Sequence, residues 1–383
     1  MTSPGARAKV RPVTEAIPML DLDAQHRPIL AEIKAAMDAV IQSQAFIMGP
    51  EVGEFEAQIA SYLGVKHAIG CANGSDALVL ALNALGVGPG DEVITTTFSF
   101  FATAGAVARV GADPVFVDID PRTFNLDPRL VEAKITPKTK AIIPVHLFGQ
   151  MTPMAELLPI AQRHGLKVIE DAAQAIGSKE GERFAGNFGD IGTLSFFPSK
   201  NLGCFGDGGM VVTNDDGWAD KLKRLRVHGT GKERYYYDMV GLNSRLDTIQ
   251  AAVLKVKLPH LEAWHRGRMK SADHYDRLLA EVPEVVRPYR VPGMRHIFNQ
   301  YTIRVPRREE FLNRMKAEKI GAAVYYPLSL HLQKCFANVG GKIGDCPHSE
   351  KASAEVVSIP IYGELSDAQR ERVVSVIKQH VRA

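Results

Sequence analysis

Between residues 66 and 213 the chain alternates short apolar runs with segments of helical periodicity, and nothing else in the sequence limits the fold as strongly. Runs at 66–71, 92–96, 114–118, 141–146, 167–170, 191–197 and 208–213 read as strands, and 77–85, 98–110, 128–133, 153–164 and 218–226 as helices. Strands separated by helices at this spacing predict an α/β architecture, a mostly parallel sheet covered on both faces. Ligands of such sheets sit beyond the carboxyl ends of the strands. Ser75, Phe100, His146, Asp171 and Lys200 all fall at or just after a strand end, so one shared site is expected.

The remainder frames that sheet. An extended segment, 17–22, and helices at 29–41 and 52–63 precede it. Residues 229–240 carry Tyr235-Tyr236-Tyr237 without clear periodicity and read as a mobile loop, a candidate lid. A helical stretch then opens at Asn243-Ser244-Arg245-Leu246-Asp247 and runs to residue 279. Strands at 300–305 and 322–325 and helices at 309–319 and 367–381 give an α+β pattern for a smaller C-terminal domain. The 383 residues are expected to divide into a flexible arm (1–16), a large domain (17–250) and a small domain (251–383). A net charge of +3 without a basic block argues against nucleic-acid binding. No apolar stretch reaches the roughly 18–20 residues that cross a bilayer, and residues 1–12 lack the apolar core of a secretory leader. Four widely spaced cysteines indicate no metal site and no disulfide framework, and a cytoplasmic location is expected.

Two stretches carry chemistry. Ser195-Phe196-Phe197-Pro198-Ser199-Lys200-Asn201-Leu202-Gly203 is a strand ended by proline, then a lysine in a glycine-rich turn. A lysine there either snorkels to the surface or is paired inside. Val168-Ile169-Glu170-Asp171-Ala172-Ala173-Gln174 is a second strand that ends in acidic residues. A lysine and a carboxylate, each at the end of a buried strand, suit pyridoxal 5'-phosphate, which needs an amine for its aldehyde and an acid facing its pyridine nitrogen. Ala72-Asn73-Gly74-Ser75-Asp76 opens a helix, either as an ordinary cap or as a phosphate cradle.

These motifs, taken in order with Gly88-Pro89-Gly90-Asp91-Glu92-Val93, Phe98-Ser99-Phe100-Phe101-Ala102-Thr103, Gly206-Asp207-Gly208-Gly209 and Asn243-Ser244-Arg245-Leu246-Asp247, resemble the DegT/DnrJ/EryC1/StrS family of pyridoxal-phosphate-dependent nucleotide-sugar aminotransferases from residue 17 onward. The resemblance implies the aspartate-aminotransferase type I fold, with a seven-stranded sheet, and a homodimer with shared sites. It implies that Lys200 bonds the cofactor and shuttles protons, that Asp171 pairs with the pyridine nitrogen, and that Gln174 bonds the phenolic oxygen. Phe100 would stack on the ring, while Ser75, Asp76 and Ser195 would contact the phosphate. Asn243 would reach it from the neighbouring subunit. Read singly, Phe100 could be core packing, Gln174 and Ser195 local backbone partners, and Asn243 a helix cap.

Dehydratases of this family carry histidine where Lys200 stands, so the resemblance favours amino transfer. It implies L-glutamate as donor and a keto-sugar linked to a nucleoside diphosphate as acceptor, closest in look to 3-keto substrates. The alternatives are 4-keto sugars, dTDP-3-keto-6-deoxyhexoses, or a regulatory protein that has kept the fold without turnover. Arg245 could bind a sugar or glutamate carboxylate, or form an ion pair with Asp247 or Asp171. His228, Tyr325, Tyr326 and His331 are further substrate candidates. His146 is another, or else a satisfied buried histidine.

Overall fold

The computed structural model describes residues 15–382, so the expected arm at 1–16 lies almost wholly outside the described residues. Helices α1 (Leu22–His26), α2 (Leu30–Ser43) and α3 (Pro50–Leu63) come first. Pro50 starts α3 where a missing N–H is harmless, and Gly64 ends it in the left-handed conformation, φ 66°.

The alternation then unfolds as β1 (His67–Cys71), α4 (Gly74–Ala84), β2 (Glu92–Thr96), α5 (Ala102–Arg109), β3 (Asp113–Val117), β4 (Thr139–Ile143), α6 (Met154–Arg163) and β5 (Lys167–Asp171). Two short pieces, β6 (Lys179–Glu180) and β7 (Arg183–Phe184), precede β8 (Ile191–Ser195), β9 (Gly209–Thr213) and α7 (Asp216–Leu225). Seven strands form one sheet in the order β1-β9-β8-β5-β4-β2-β3. Four neighbouring pairs are parallel, and only β9 runs against its neighbours.

Strand alternation splits successive side chains between two cores. Ile94, Ile142, Val168 and Val212 pack on one face with α3 and α6. Val93, Ile143, Ile169 and Val211 pack on the other with α4 and α7. Helix α4 is apolar nearly all round, the pattern of a helix enclosed on several sides.

The helical stretch after residue 247 is two helices, α8 (Thr248–Lys257) and α9 (Leu261–Leu278), joined by a 3-10 turn, Leu258–His260, at Pro259. After β10 (Met294–Arg295) come β11 (Tyr301–Arg304), α10 (Arg308–Ala317), α11 (Pro347–Glu355), β12 (Val356–Ile359) and α12 (Asp367–Arg382). Strand β11 pairs antiparallel with β12 over a separate apolar cluster that includes Ile17, Tyr275 and Phe311. Two expectations are corrected. Residues 128–133 form 3-10 turns rather than an α-helix, being too short to sustain one. Residues 322–325 make only a single bridge, Ala323 to Ser358, on the edge of β12 opposite β11, and the strand character of β12 was not read.

Candidate active site

All strands of the large sheet except β9 point the same way, so the carboxyl ends of β1, β2, β5 and β8 share one edge. A cavity of about 560 Å³ lies there. Ser75, Phe100, Asp171, Gln174, Ser195, Lys200, Tyr325 and Tyr326 line it, with Asn73, Ser99, Ser199, Asp207 and Gln300.

Lys200 stands two residues past Pro198, in a turn closed by its own N–H to the Phe197 carbonyl at 2.8 Å and by Cys204 N–H to the Phe196 carbonyl at 2.8 Å. Gly203 is required in that turn, since a Cβ would lie 2.4 Å from the Pro198 oxygen. Loss of water around the Lys200 ammonium lowers its pKa to about 8, against a raising effect of the Asp171 carboxylate. In the cofactor-free protein the folded state therefore binds this proton less firmly than the unfolded chain, whose lysine keeps the ordinary value of 10.5. The resulting penalty is complete below pH 8 and gone above that ordinary value. Cofactor-free Lys200→Met is thus expected to melt higher than its parent at pH 7, with the margin closing as pH rises from about 8 to 10.5; thermal melts across that range check it.

Asp171 closes β5. Its Oδ2 accepts from Thr103 Oγ1 at 2.8 Å and its Oδ1 from Ala173 N–H at 3.2 Å. Alternation sends the preceding Glu170 to the opposite face. There its carboxylate accepts from the N–H groups of Phe188 and Gly189 at 2.6 Å, from Gly186 N–H at 2.9 Å and from His146 Nε2 at 2.8 Å. His146 Nδ1 accepts from Thr152 N–H at 3.1 Å, so His146 is a satisfied core histidine, not a substrate contact. The pair anchors the end of the strand from which Asp171 projects.

Thr103 was not singled out from the sequence, although it sits four residues after Ser99, whose Oγ lies 3.0 Å from Thr103 Oγ1. Thr103→Val removes a hydroxyl donor from a buried carboxylate. Such a bond contributes about 1.5–3 kcal/mol, so cofactor affinity is expected to fall at least about tenfold, read by fluorescence titration of the unloaded protein.

The residues fit a phosphorylated pyridine ring. Asn73 caps α4 by accepting from Asp76 N–H at 2.8 Å, which leaves Gly74 and Ser75 with N–H groups for an anion at the positive end of the helix. Gly74 and Gly209 keep this cradle open: a Cβ at Gly74 would come within 2.7 Å of Ser195, and one at Gly209 within 2.3 Å of the Asn73 backbone. The Asp76 side chain does not line the cavity, and its backbone N–H is spent on the cap. Phe100 is 57% exposed, so it is a wall of the cavity and not core packing. Gln174 Oε1 accepts from Phe148 N–H at 2.7 Å, and its Nε2 donates to Tyr326 Oη at 3.1 Å. Burial pushes the Tyr326 hydroxyl above the usual phenol range.

Four expected residues lie elsewhere in the single chain. Asn243 and His228 are exposed, His228 with φ 66° in a turn where its N–H donates to the Leu242 carbonyl at 2.8 Å. Arg245 is half-buried, and the Asp171 carboxylate expected as its possible partner is taken by Thr103 and Ala173. His331 is 3% exposed and lines a different cavity of the single chain with Phe116 and Cys346. The cause is Leu330, whose N–H donates to the Thr97 carbonyl at 2.8 Å and draws the segment to the sheet edge. His331 Nε2 meets Glu350 at 3.2 Å there.

A lysine, an acid, an aromatic wall and an anion cradle around one cavity suit a phosphorylated pyridine aldehyde. Residues 28–378 match the DegT/DnrJ/EryC1/StrS aminotransferase family, and the chain belongs to that family of pyridoxal-phosphate-dependent enzymes. It is 55% identical to a pleiotropic regulatory protein of Geobacillus stearothermophilus, over 96% of this chain and 99% of that one. It is 46% identical to a UDP-N-acetyl-3-dehydro-alpha-D-glucosamine 3-aminotransferase of Acidithiobacillus ferrooxidans, over 95% and 98%. The crystal structure of S. venezuelae DesV in complex with a ketimine intermediate matches with a TM-score of 0.94 at 40% identity, over 97% of this chain and 100% of that one.

Proposed function

We propose that this chain moves an amino group from L-glutamate to a keto carbon, the 3-position, of a sugar linked to a nucleoside diphosphate. The observation that carries the reading is one cavity holding Lys200 and Asp171 at adjacent strand ends. The bound cofactor supplies the electron sink that lets an amino acid lose its α-proton. Lys200 Nζ takes that proton and returns it on the other side of the reaction, as a base whose pKa of about 8 lies near neutrality. Asp171 would favour positive charge at the ring nitrogen, and Ser75, Ser195 and the α4 N-terminus would hold the phosphate. Phe100 would stack on the ring, and Gln174, bonded through Nε2 to Tyr326 Oη, would bond the phenolic oxygen. The Acidithiobacillus relative supports the 3-position. The regulatory name of the Geobacillus relative raises the alternative of a protein without turnover; the complete set Lys200, Asp171 and Gln174 favours the enzyme.

In this reading the working unit is a homodimer in the cytoplasm. Asn243 and Arg245 of each copy complete the other's site, and exposed Phe46, Ile47, Met48 and Phe205 supply apolar surface for the contact. The division into parts 17–250 and 251–383 belongs to the same proposal, supported by the separate C-terminal apolar cluster. The test is spectroscopic. Adding L-glutamate to the yellow, loaded protein is expected to bleach the visible band and release 2-oxoglutarate, and UDP- or dTDP-linked 3-keto sugars should restore it. A band indifferent to glutamate, with no oxo-acid formed, defeats the proposal.

A further inference from the structure

Lys257, the last residue of α8, is 1% exposed, and among the described residues no carboxylate stands within ion-pair distance of it. An unpaired buried ammonium is unfavourable, and burial lowers the Lys257 pKa to about 8. Its partners come from three elements. It donates to the Gly203 carbonyl in the turn beyond Lys200. It also donates to His26 Nε2 in α1 at 2.8 Å, a ring kept neutral by burial and by the Lys257 charge, which lower its pKa to about 4. The rings of Phe205 and of Trp264 in α9 lie 5.7 and 5.8 Å away. The Cys204 thiol is the other titratable neighbour, and its Sγ lies 2.9 Å from the Phe196 carbonyl oxygen and 3.1 Å from that of Gly206.

Gln250 lies seven residues earlier, two turns along the same face of α8. Its Oε1 accepts from Phe205 N–H at 2.8 Å, and its Nε2 donates to the Phe205 carbonyl at 3.4 Å. One helix face therefore grips the backbone at Gly203 and Phe205, three and five residues beyond the reactive lysine.

We infer that Gln250 and Lys257 are positioning residues: from α8 they fix the backbone of the turn that carries Lys200, and so fix where its amine stands in the cavity. The inference rests on the reading of Lys200 as the reactive amine. A lysine kept only for packing would be replaced by methionine without consequence. A lysine kept for position would be replaced with a gain in stability and a loss of function.

The test uses the loaded enzyme and two variants, Lys257→Met and Gln250→Leu. Hydrogen–deuterium exchange of the peptide spanning 197–205 is expected to quicken at least about tenfold in Lys257→Met, which loses a bond from a charged group, and about two- to tenfold in Gln250→Leu, which loses neutral ones. Turnover is expected to fall about tenfold with KM for glutamate within about twofold, and the Tm of Lys257→Met not to fall. Parental exchange in that peptide overturns the inference. So does faster exchange across the whole chain with a lower Tm, which marks an ordinary structural role. If Lys257→Met does not fold, half-buried Gln250 carries the same test alone. The exchange difference does not depend on where the cofactor attaches, so an error about Lys200 itself would show as attachment elsewhere with the difference still present.

Discussion

Lys200→Ala is expected to remove the visible absorbance of the loaded protein and to lower amino transfer at least about a thousandfold. Both effects have one cause. In the proposed reaction the amine that bonds the cofactor's aldehyde is also the base that moves the substrate proton, and among the described residues no second lysine lines the cavity. The fold survives the change, because the turn is held by its backbone bonds from Lys200 to Phe197 and from Cys204 to Phe196, and by Gln250 and Lys257. Truncation also removes an ammonium that the folded protein holds at a disadvantage. Absorbance spectra and glutamate half-reactions of the purified variant, beside a thermal melt, measure all three. A variant that stays yellow and turns over normally places the chemistry on another residue.

Asp171→Asn is expected to keep the fold and lower turnover about a hundred- to ten-thousandfold. An asparagine can still accept from Ala173 N–H and can donate to Thr103 Oγ1, so the hydrogen-bond frame persists. What it lacks is the negative charge. Breaking a buried charge pair by removing one partner forfeits about 3–5 kcal/mol, and each 1.36 kcal/mol is a factor of about ten in rate. A second consequence is independent of the cofactor. The Asp171 charge raises the Lys200 pKa against burial, so in unloaded Asp171→Asn the Lys200 pKa falls further below about 8. The pH dependence of acylation of Lys200 reads that shift, and an unchanged profile contradicts the placement of the two groups.

The sequence made the sheet legible because each strand is a short apolar run bounded by turn residues, and the shared strand ends brought Ser75, Phe100, Asp171 and Lys200 to one cavity, while His146, expected with them, is held in the core by Glu170. Residues acting at long range were harder. Thr103 looks like an ordinary helix residue until α5 is set against β5. Lys257 looks like the basic residue that ends many helices, and only burial behind the Lys200 turn reveals a different role. His331 stands apart from the cavity of Lys200 for the same reason. Its distance in the chain from Tyr326 is short, yet Leu330 pairs with Thr97 and carries it to the sheet edge. Periodicity reports which face of an element is buried and says nothing about which loop lies over it.

The most direct measurement is borohydride reduction of the loaded enzyme followed by peptide mass mapping. A phosphopyridoxyl mass on the peptide containing Lys200, in stoichiometric amount and absent from Lys200→Ala, is the predicted result. The same mass on any other lysine, or on none, contradicts the account.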